Sequence, residues 1–164
     1  MNRCIEKQAC VCKKYDSIAK ECINELEIRD SGKSVKLSTK NNEKAIAVIL
    51  DNCLLTKGMR CDVLFLFNNG SKKTACLVEL KGFGEIEKAF KQLAYTRKRD
   101  EYIEVIKCFE NLDNKKVFQK YFIITNGKLD NIEKEKLENH YKIRVSQILT
   151  NDATKPIPDL RKYI

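Results

Sequence analysis

Three ionisable residues sit on segments that otherwise read as buried. They are Asp62, Glu79 and Lys81, in the stretch MRCDVLFLFNNGSKKTACLVELKG from Met59 to Gly82. Side chains alternate across a strand, so Glu79 and Lys81 share one face while Val78 and Leu80 share the other. A turn at NNGSKK, with Asn69-Gly70 able to take positive φ angles, folds the two apolar runs into a hairpin. The start of the first strand, at Asp62, then lies opposite the end of the second, at Glu79. Two carboxylates brought together repel unless a proton or a cation sits between them. A divalent ion with oxygen ligands would settle that repulsion, and such an ion can activate a bound water. The plainer alternative is a Glu79–Lys81 ion pair at a sheet end, with Asp62 as a turn or edge residue.

The elements that must position these residues follow from pattern. YDSIAKECINELEI carries Ile18, Cys22 and Leu26 at helical spacing and predicts a helix ended by RDSGKS. SVKLS predicts a short strand. NNEKAIAVILDNCLL predicts a second helix, with Asn41 or Asn42 as its N-cap. The hairpin strands run from Cys61 to Phe67 and from Thr74 to Lys81. A long helix is expected from Glu85 to about Glu110, with irregular phase around RKRDE. KVFQKYFIITNG reads as a strand, NIEKEKLENH as a polar helix and YKIRVSQIL as a short strand. The fold class expected is α/β: a mixed central sheet with a hairpin carrying the site, flanked by helices. One domain spans residues 1–164, with 1–32 as a cysteine-rich helical extension and 151–164, which holds both prolines, as a C-terminal arm.

Asp62, followed at a distance by Glu79-Leu80-Lys81, resembles the PD-(D/E)xK nuclease superfamily, which includes restriction endonucleases and Holliday-junction resolvases. The resemblance covers about Asn41 to Gly127. It implies a restriction-endonuclease-like core and metal-dependent hydrolysis of DNA phosphodiester bonds, with Mg²⁺ or Mn²⁺ as cofactor. It implies that Asp62, Glu79 and the Leu80 carbonyl hold the metal and that Lys81 orients or activates the attacking water. Glu43, in NNEKAIAVI, matches a Glu that many members place on the helix before the Asp strand, as a further catalytic carboxylate and metal ligand. Gln92, in KAFKQLAYTRKR, matches a Gln on the helix after the motif. Cys61 stands where the name-giving proline would be. A homodimer is the assembly the resemblance implies, since duplex cleavage needs two sites.

Charge agrees with an anionic partner. The chain has 32 Lys and Arg against 23 Asp and Glu, a net +9, and nucleic acid, DNA above all, is the partner this favours. Lys88, Gln92, Tyr95 and Arg99 share a helix face at spacings of four, three and four, which suits phosphate contacts. Lys72 and Lys73 could widen that surface. The single histidine, His140, closes a polar helix and is not expected to be catalytic.

AIAVIL and VLFLF are too short to span a membrane, and MNRCIEKQACVCKKYD has no apolar signal region. The expectation is a cytoplasmic protein with eight reduced cysteines. Cys4, Cys10, Cys12 and Cys22 could instead hold zinc or an iron–sulfur cluster, though paired CxxC spacing is absent. Two readings compete with a nuclease. One is a non-cleaving nucleic-acid or nucleotide-binding module on the same fold. The other is an interaction protein with an N-terminal cysteine metal site.

Overall fold

Strands made of unbroken apolar residues need cover on both faces, and the chain supplies two kinds. The structure, a computed structural model, describes residues 10–13, 22–23 and 26–164. Its main sheet contains β1 (Val11–Lys13), β5 (Lys44–Ile49), β6 (Val63–Asn68), β7 (Lys73–Leu80), β8 (Val117–Thr125) and β9 (Gln147–Thr150). These six strands lie in the order β1-β5-β6-β7-β8-β9. Each neighbouring pair among the first four is antiparallel, and β7-β8-β9 are parallel. A second, three-stranded sheet is formed by β2 (Cys22–Ile23), β3 (Glu27–Asp30) and β4 (Lys33–Lys36). The protein is thus mixed α/β, as its pattern implied.

Every residue of β7 is buried. On one face of the sheet Leu64, Leu66, Ala75 and Leu77 pack under α1 (Ile86–Thr96) and α2 (Asp100–Glu110), through Phe90, Leu93, Tyr102 and Phe109. A third helix, α3 (Asn131–Tyr141), joins this layer through Leu137 and Tyr141. On the other face Phe65, Val78 and Phe122 meet Leu26, Ile28, Val35 and Leu37 of the small sheet, with Leu160 from the C-terminal segment. Fully burying side chains of this size contributes about 2 kcal/mol each. Among the described residues, helices therefore flank the sheet on one face only.

Three expected helices change. NNEKAIAVIL forms strand β5, not a helix. Ile46 and Val48 pack under the helices while Ala47 and Ile49 face the small sheet. A short β-branched run covered on both sides has no helical period. Asn42, the expected N-cap, takes φ 70° in the preceding turn. The helix expected from Tyr15 to Ile28 is contradicted at Cys22–Ile23 and Glu27–Asp30, which are strands; residues 14–21 and 24–25 lie outside the described residues. Asp30 pairs with Lys33 across Ser31-Gly32, both at positive φ, the two-residue hairpin turn that suits right-twisted strands.

The long helix is two helices broken at Arg97–Arg99. On a continuous helix Leu93 and Tyr102 would lie half a turn apart, nine residues being about 2.5 turns. The break rephases both side chains into one core. The hairpin, the strand before Asn126-Gly127 and α3 lie where the pattern placed them, while the strand expected over YKIRVSQIL forms only at its end, as β9. In the hairpin turn only Gly70 takes positive φ. Asn69 acts through its side chain instead, accepting from the Ser71 and Lys72 amides. The arm expected from residue 151 folds back. It ends in a 3-10 turn at Leu160–Tyr163, with Lys36 N–H donating to the Pro158 carbonyl at 3.0 Å.

The cysteines depart from the reduced-thiol expectation. Cys10 and Cys53 form a disulfide, Cys12 and Cys108 are disulfide-bonded as well, and Cys61 and Cys76 are free and buried. Cys10 and Cys12 are thereby removed from the suggested zinc or iron–sulfur set, while Cys4 lies outside the described residues. Disulfides persist in oxidising surroundings, so the cytoplasmic expectation loses the support that reduced thiols gave it. No helix among the described residues is long and apolar enough to cross a membrane.

Candidate functional site

Antiparallel register fixes the central pair. Val63 lies opposite Val78, so one step further along, Asp62 lies opposite Glu79. Both side chains point to the helix-covered face, in phase with Leu64 and Leu77. Asp62 Oδ2 accepts the Leu80 N–H at 2.6 Å. The backbone behind Asp62 is held by α1: Cys61 N–H donates to Thr96 Oγ1 at 3.0 Å, and Gln92 Nε2 donates to the Arg60 carbonyl at 2.6 Å.

Glu79 is fully buried. Its Oε1 lies 3.1 Å from Lys81 Nζ, an ion pair whose direction is not that of a hydrogen bond. Its Oε2 has no partner among the described residues. Burying a carboxylate this way is costly unless something charged completes it. Burial pushes the Glu79 carboxyl well above its ordinary range, Asp62 adds to the shift, and Lys81 opposes it. Burial likewise pushes Asp62 up to about 7, against the Leu80 amide, which favours the anion. Asp30 and Asp51 add to the shift. For Lys81, burial favours the neutral amine, but Glu79 and then Asp62 outweigh it, so the ammonium is held above its usual range. The Cys61 thiol is pushed up by burial and further by Glu79.

These groups open into a cleft of about 410 Å³ lined by Asp62, Lys81, Lys88, Gln92, Asp51 and Arg60, among others. Gln92 is nearly buried, and its Oε1 has no partner among the described residues. The structure therefore brings together Asp62, Glu79, Leu80, Lys81, Gln92 and Lys88. Lys88 also pairs with Glu85 at 3.1 Å. Tyr95 is exposed beside the cleft residue Gly58, and the Arg99 guanidinium lies 6.0 Å from its ring centroid. Arg99 is not on the helix face with them. It is the residue before α2, bound to the Lys57 carbonyl at 2.8 Å and to Glu101 at 2.8 Å.

Glu43 is not at the site. It precedes β5, whose other end, Ile49, pairs with Val63. Six residues of strand put it about 20 Å away. Its carboxylate takes a bidentate bond from Arg161, at 2.5 and 3.1 Å, and accepts the Lys40 amide at 2.8 Å. Its expected position, on a helix before the Asp strand, does not exist. Lys73 is corrected too. It is fully buried, donates to the Phe109 carbonyl at 2.6 Å and pairs with Asp113. Lys72 stacks 5.2 Å over Phe118 at the same, distal end of β7.

The pattern missed Asp30, Asp51 and Arg60. Asp30 arrives on the small sheet's hairpin, and Asp51 follows β5 and pairs with Arg60. Asp30 reaches Asp62 through the packing of the small sheet over the strand ends, whereas Asp51 reaches it through the β5–β6 pairing, its N–H donating to the Asp62 carbonyl. Among the described residues no three His, Cys, Asp or Glu side chains converge tightly enough to cage a metal by themselves. A cation here would rest on two carboxylates and a backbone carbonyl, with water completing its shell. Comparison of the chain with family models, curated proteins and solved structures finds no match.

Proposed function

We propose that the protein is a metal-dependent endonuclease that hydrolyses DNA phosphodiester bonds on a restriction-endonuclease-like core. One observation carries this reading. Two buried carboxylates face each other at a strand end, neither Glu79 oxygen has a hydrogen-bond partner among the described residues, and Lys81 Nζ stands 3.1 Å from Oε1. A purely structural ion pair would not need Asp62, and burying it costs stability. The donor set fits Mg²⁺ or Mn²⁺, which take oxygen ligands and keep several waters. Asp62, Glu79 and the Leu80 carbonyl would hold the ion. When bound, it lowers the pKa of a water and offsets charge on the scissile phosphate.

The chain's own groups do the rest. Asp62 releases its proton near neutral pH and becomes the anion the site requires. Lys81 is the fixed positive charge beside Glu79, placed to orient the attacking water and to offset charge as the phosphate is attacked. Gln92, anchored by its amide nitrogen, offers its oxygen as an acceptor for that water. Lys88 and Tyr95 meet neighbouring phosphates, and the net charge of +9 draws the substrate in. A homodimer would supply the second site for a duplex cut. A docking protein stapled by an N-terminal metal is disfavoured, because Cys10 and Cys12 are already in disulfides.

The test is cleavage of supercoiled plasmid, linear duplex and single-stranded DNA with Mg²⁺, Mn²⁺ or EDTA. Cutting that requires the metal supports the reading. A folded protein that cuts nothing with either metal contradicts it.

A further inference from the structure

Large apolar side chains that stay exposed need a reason, and their distribution here is uneven. Met59, Phe83, Tyr95, Phe118 and Ile132 are the exposed large apolar residues among those described. Met59 lines the cleft, Tyr95 touches its Gly58, and Phe83 lies two residues beyond its Lys81. Two residues of chain span at most about 7 Å.

Phe83 is exposed yet held. Its N–H donates to Asn126 Oδ1 at 3.0 Å. Its ring lies against Gly127, where an added Cβ would come within 2.2 Å of Phe83 Cδ2 and 2.7 Å of Phe83 Cβ. Only glycine permits that approach. The ring is therefore seated on backbone at one side, with 42% of the residue still exposed. Folding gains little from a phenyl left in water, whereas an exposed ring fixed two residues from Lys81 is a stacking surface. Every nucleobase offers a π-face to such a ring, and paired bases inside a duplex do not.

We propose that Phe83, backed by Gly127, stacks on an unpaired base next to the phosphate in the cleft, so that the substrate is single-stranded DNA or a single-stranded branch. Lys81, Lys88 and Arg60 line the cleft together with Asp30, Asp51 and Asp62, so the charge that favours a nucleic-acid strand over an apolar peptide is the chain's net +9. This deepens the nuclease reading and rests on it for the position of the phosphate.

The test separates the two. Binding is measured in EDTA, where no metal-dependent cutting occurs, with a fluorescent mixed-sequence single-stranded oligonucleotide and a blunt duplex of the same sequence. Phe83→Ala should weaken single-strand binding roughly 5- to 100-fold and duplex binding less than about twofold. Phe83→Trp, which keeps a ring, should retain single-strand binding. Gly127→Ala, which displaces the ring, should behave as Phe83→Ala while melting as a folded protein. Equal losses on both substrates, no loss on either, or no single-strand binding by the unaltered protein would overturn the proposal. Cleavage stands apart: a protein that binds single strands through Phe83 and never cuts sinks the nuclease reading alone. A protein that cuts single strands equally well with Phe83→Ala sinks the stacking proposal alone. An apolar-peptide surface would show as the pattern with no loss on either nucleic acid.

Discussion

Asp62 Oδ2 accepts the N–H of Leu80 at 2.6 Å. The first carboxylate is thereby tied to the peptide between Glu79 and Lys81, so one hydrogen bond locks both halves of the site in register. Asp62→Asn keeps an acceptor at this position and removes a buried charge. We expect it to fold with unchanged or higher thermal stability at pH 8 and to lose metal-dependent cleavage by at least about 100-fold. Thermal melting and a cleavage assay on the same preparation check both halves.

Stability should depend on pH with a definite sign. Asp62 has a folded pKa of about 7 against an ordinary 3.8, so between those values the folded state holds a proton that the unfolded state has released. That contribution is fully present below about pH 4 and is lost as pH rises through 7. Glu79 is shifted in the same direction. In EDTA the melting temperature should therefore fall from pH 5 to pH 8. Mg²⁺ should restore it at pH 8 and do little at pH 5, where protons compete for the carboxylates, and cleavage should rise through pH 7. A melting temperature flat in pH and blind to Mg²⁺ would contradict this account of the pair.

Glu43 and Lys73 provide controls away from the site. Glu43→Gln loosens the Arg161 contact that anchors the C-terminal segment, so it should cost up to about 1–2 kcal/mol of stability and leave cleavage intact. Lys73→Ala removes a fully buried cation together with its bonds to the Phe109 carbonyl and Asp113. We expect a loss of about 2–4 kcal/mol. The salt dependence of DNA binding should not change, because a buried lysine neutralises no phosphate. Denaturant melts and binding at two salt concentrations measure these effects.

The Cys10–Cys53 disulfide joins the segment before β1 to the loop that carries Asp51, Gly58 and Arg60 into the cleft. Its partners are 43 residues apart, for which the chain-entropy relation gives about 4 kcal/mol. Replacing both cysteines with serine should lower stability by a few kcal/mol, read as the shift in denaturant midpoint.

The hairpin and its three charged residues were legible because both signals are local: unbroken apolar runs interrupted by charge, and a turn of fixed chemistry. Gln92 and Lys88 were legible because α1 follows the motif directly and has a clear apolar stripe. Strand β5 was not, since AIAVIL is an unbroken apolar run buried on both faces and carries no period that separates strand from helix. Glu43 was misplaced along with it, as a residue assigned to a helix above the site cannot also begin a strand that runs away from it. Asp30 left no trace in the pattern, because the small sheet meets the strand ends only in the folded chain, and Asp51 left none because it follows the strand β5 that was read as a helix.

The most direct test of the central claim is a single-turnover cleavage assay in Mg²⁺. It compares the unaltered protein with Asp62→Asn, Glu79→Gln and Lys81→Ala, each first shown to melt as a folded protein. The account predicts cutting that vanishes in EDTA and drops at least about 100-fold in each variant. Cutting that survives in Asp62→Asn and Glu79→Gln, or that proceeds equally in EDTA, would contradict it.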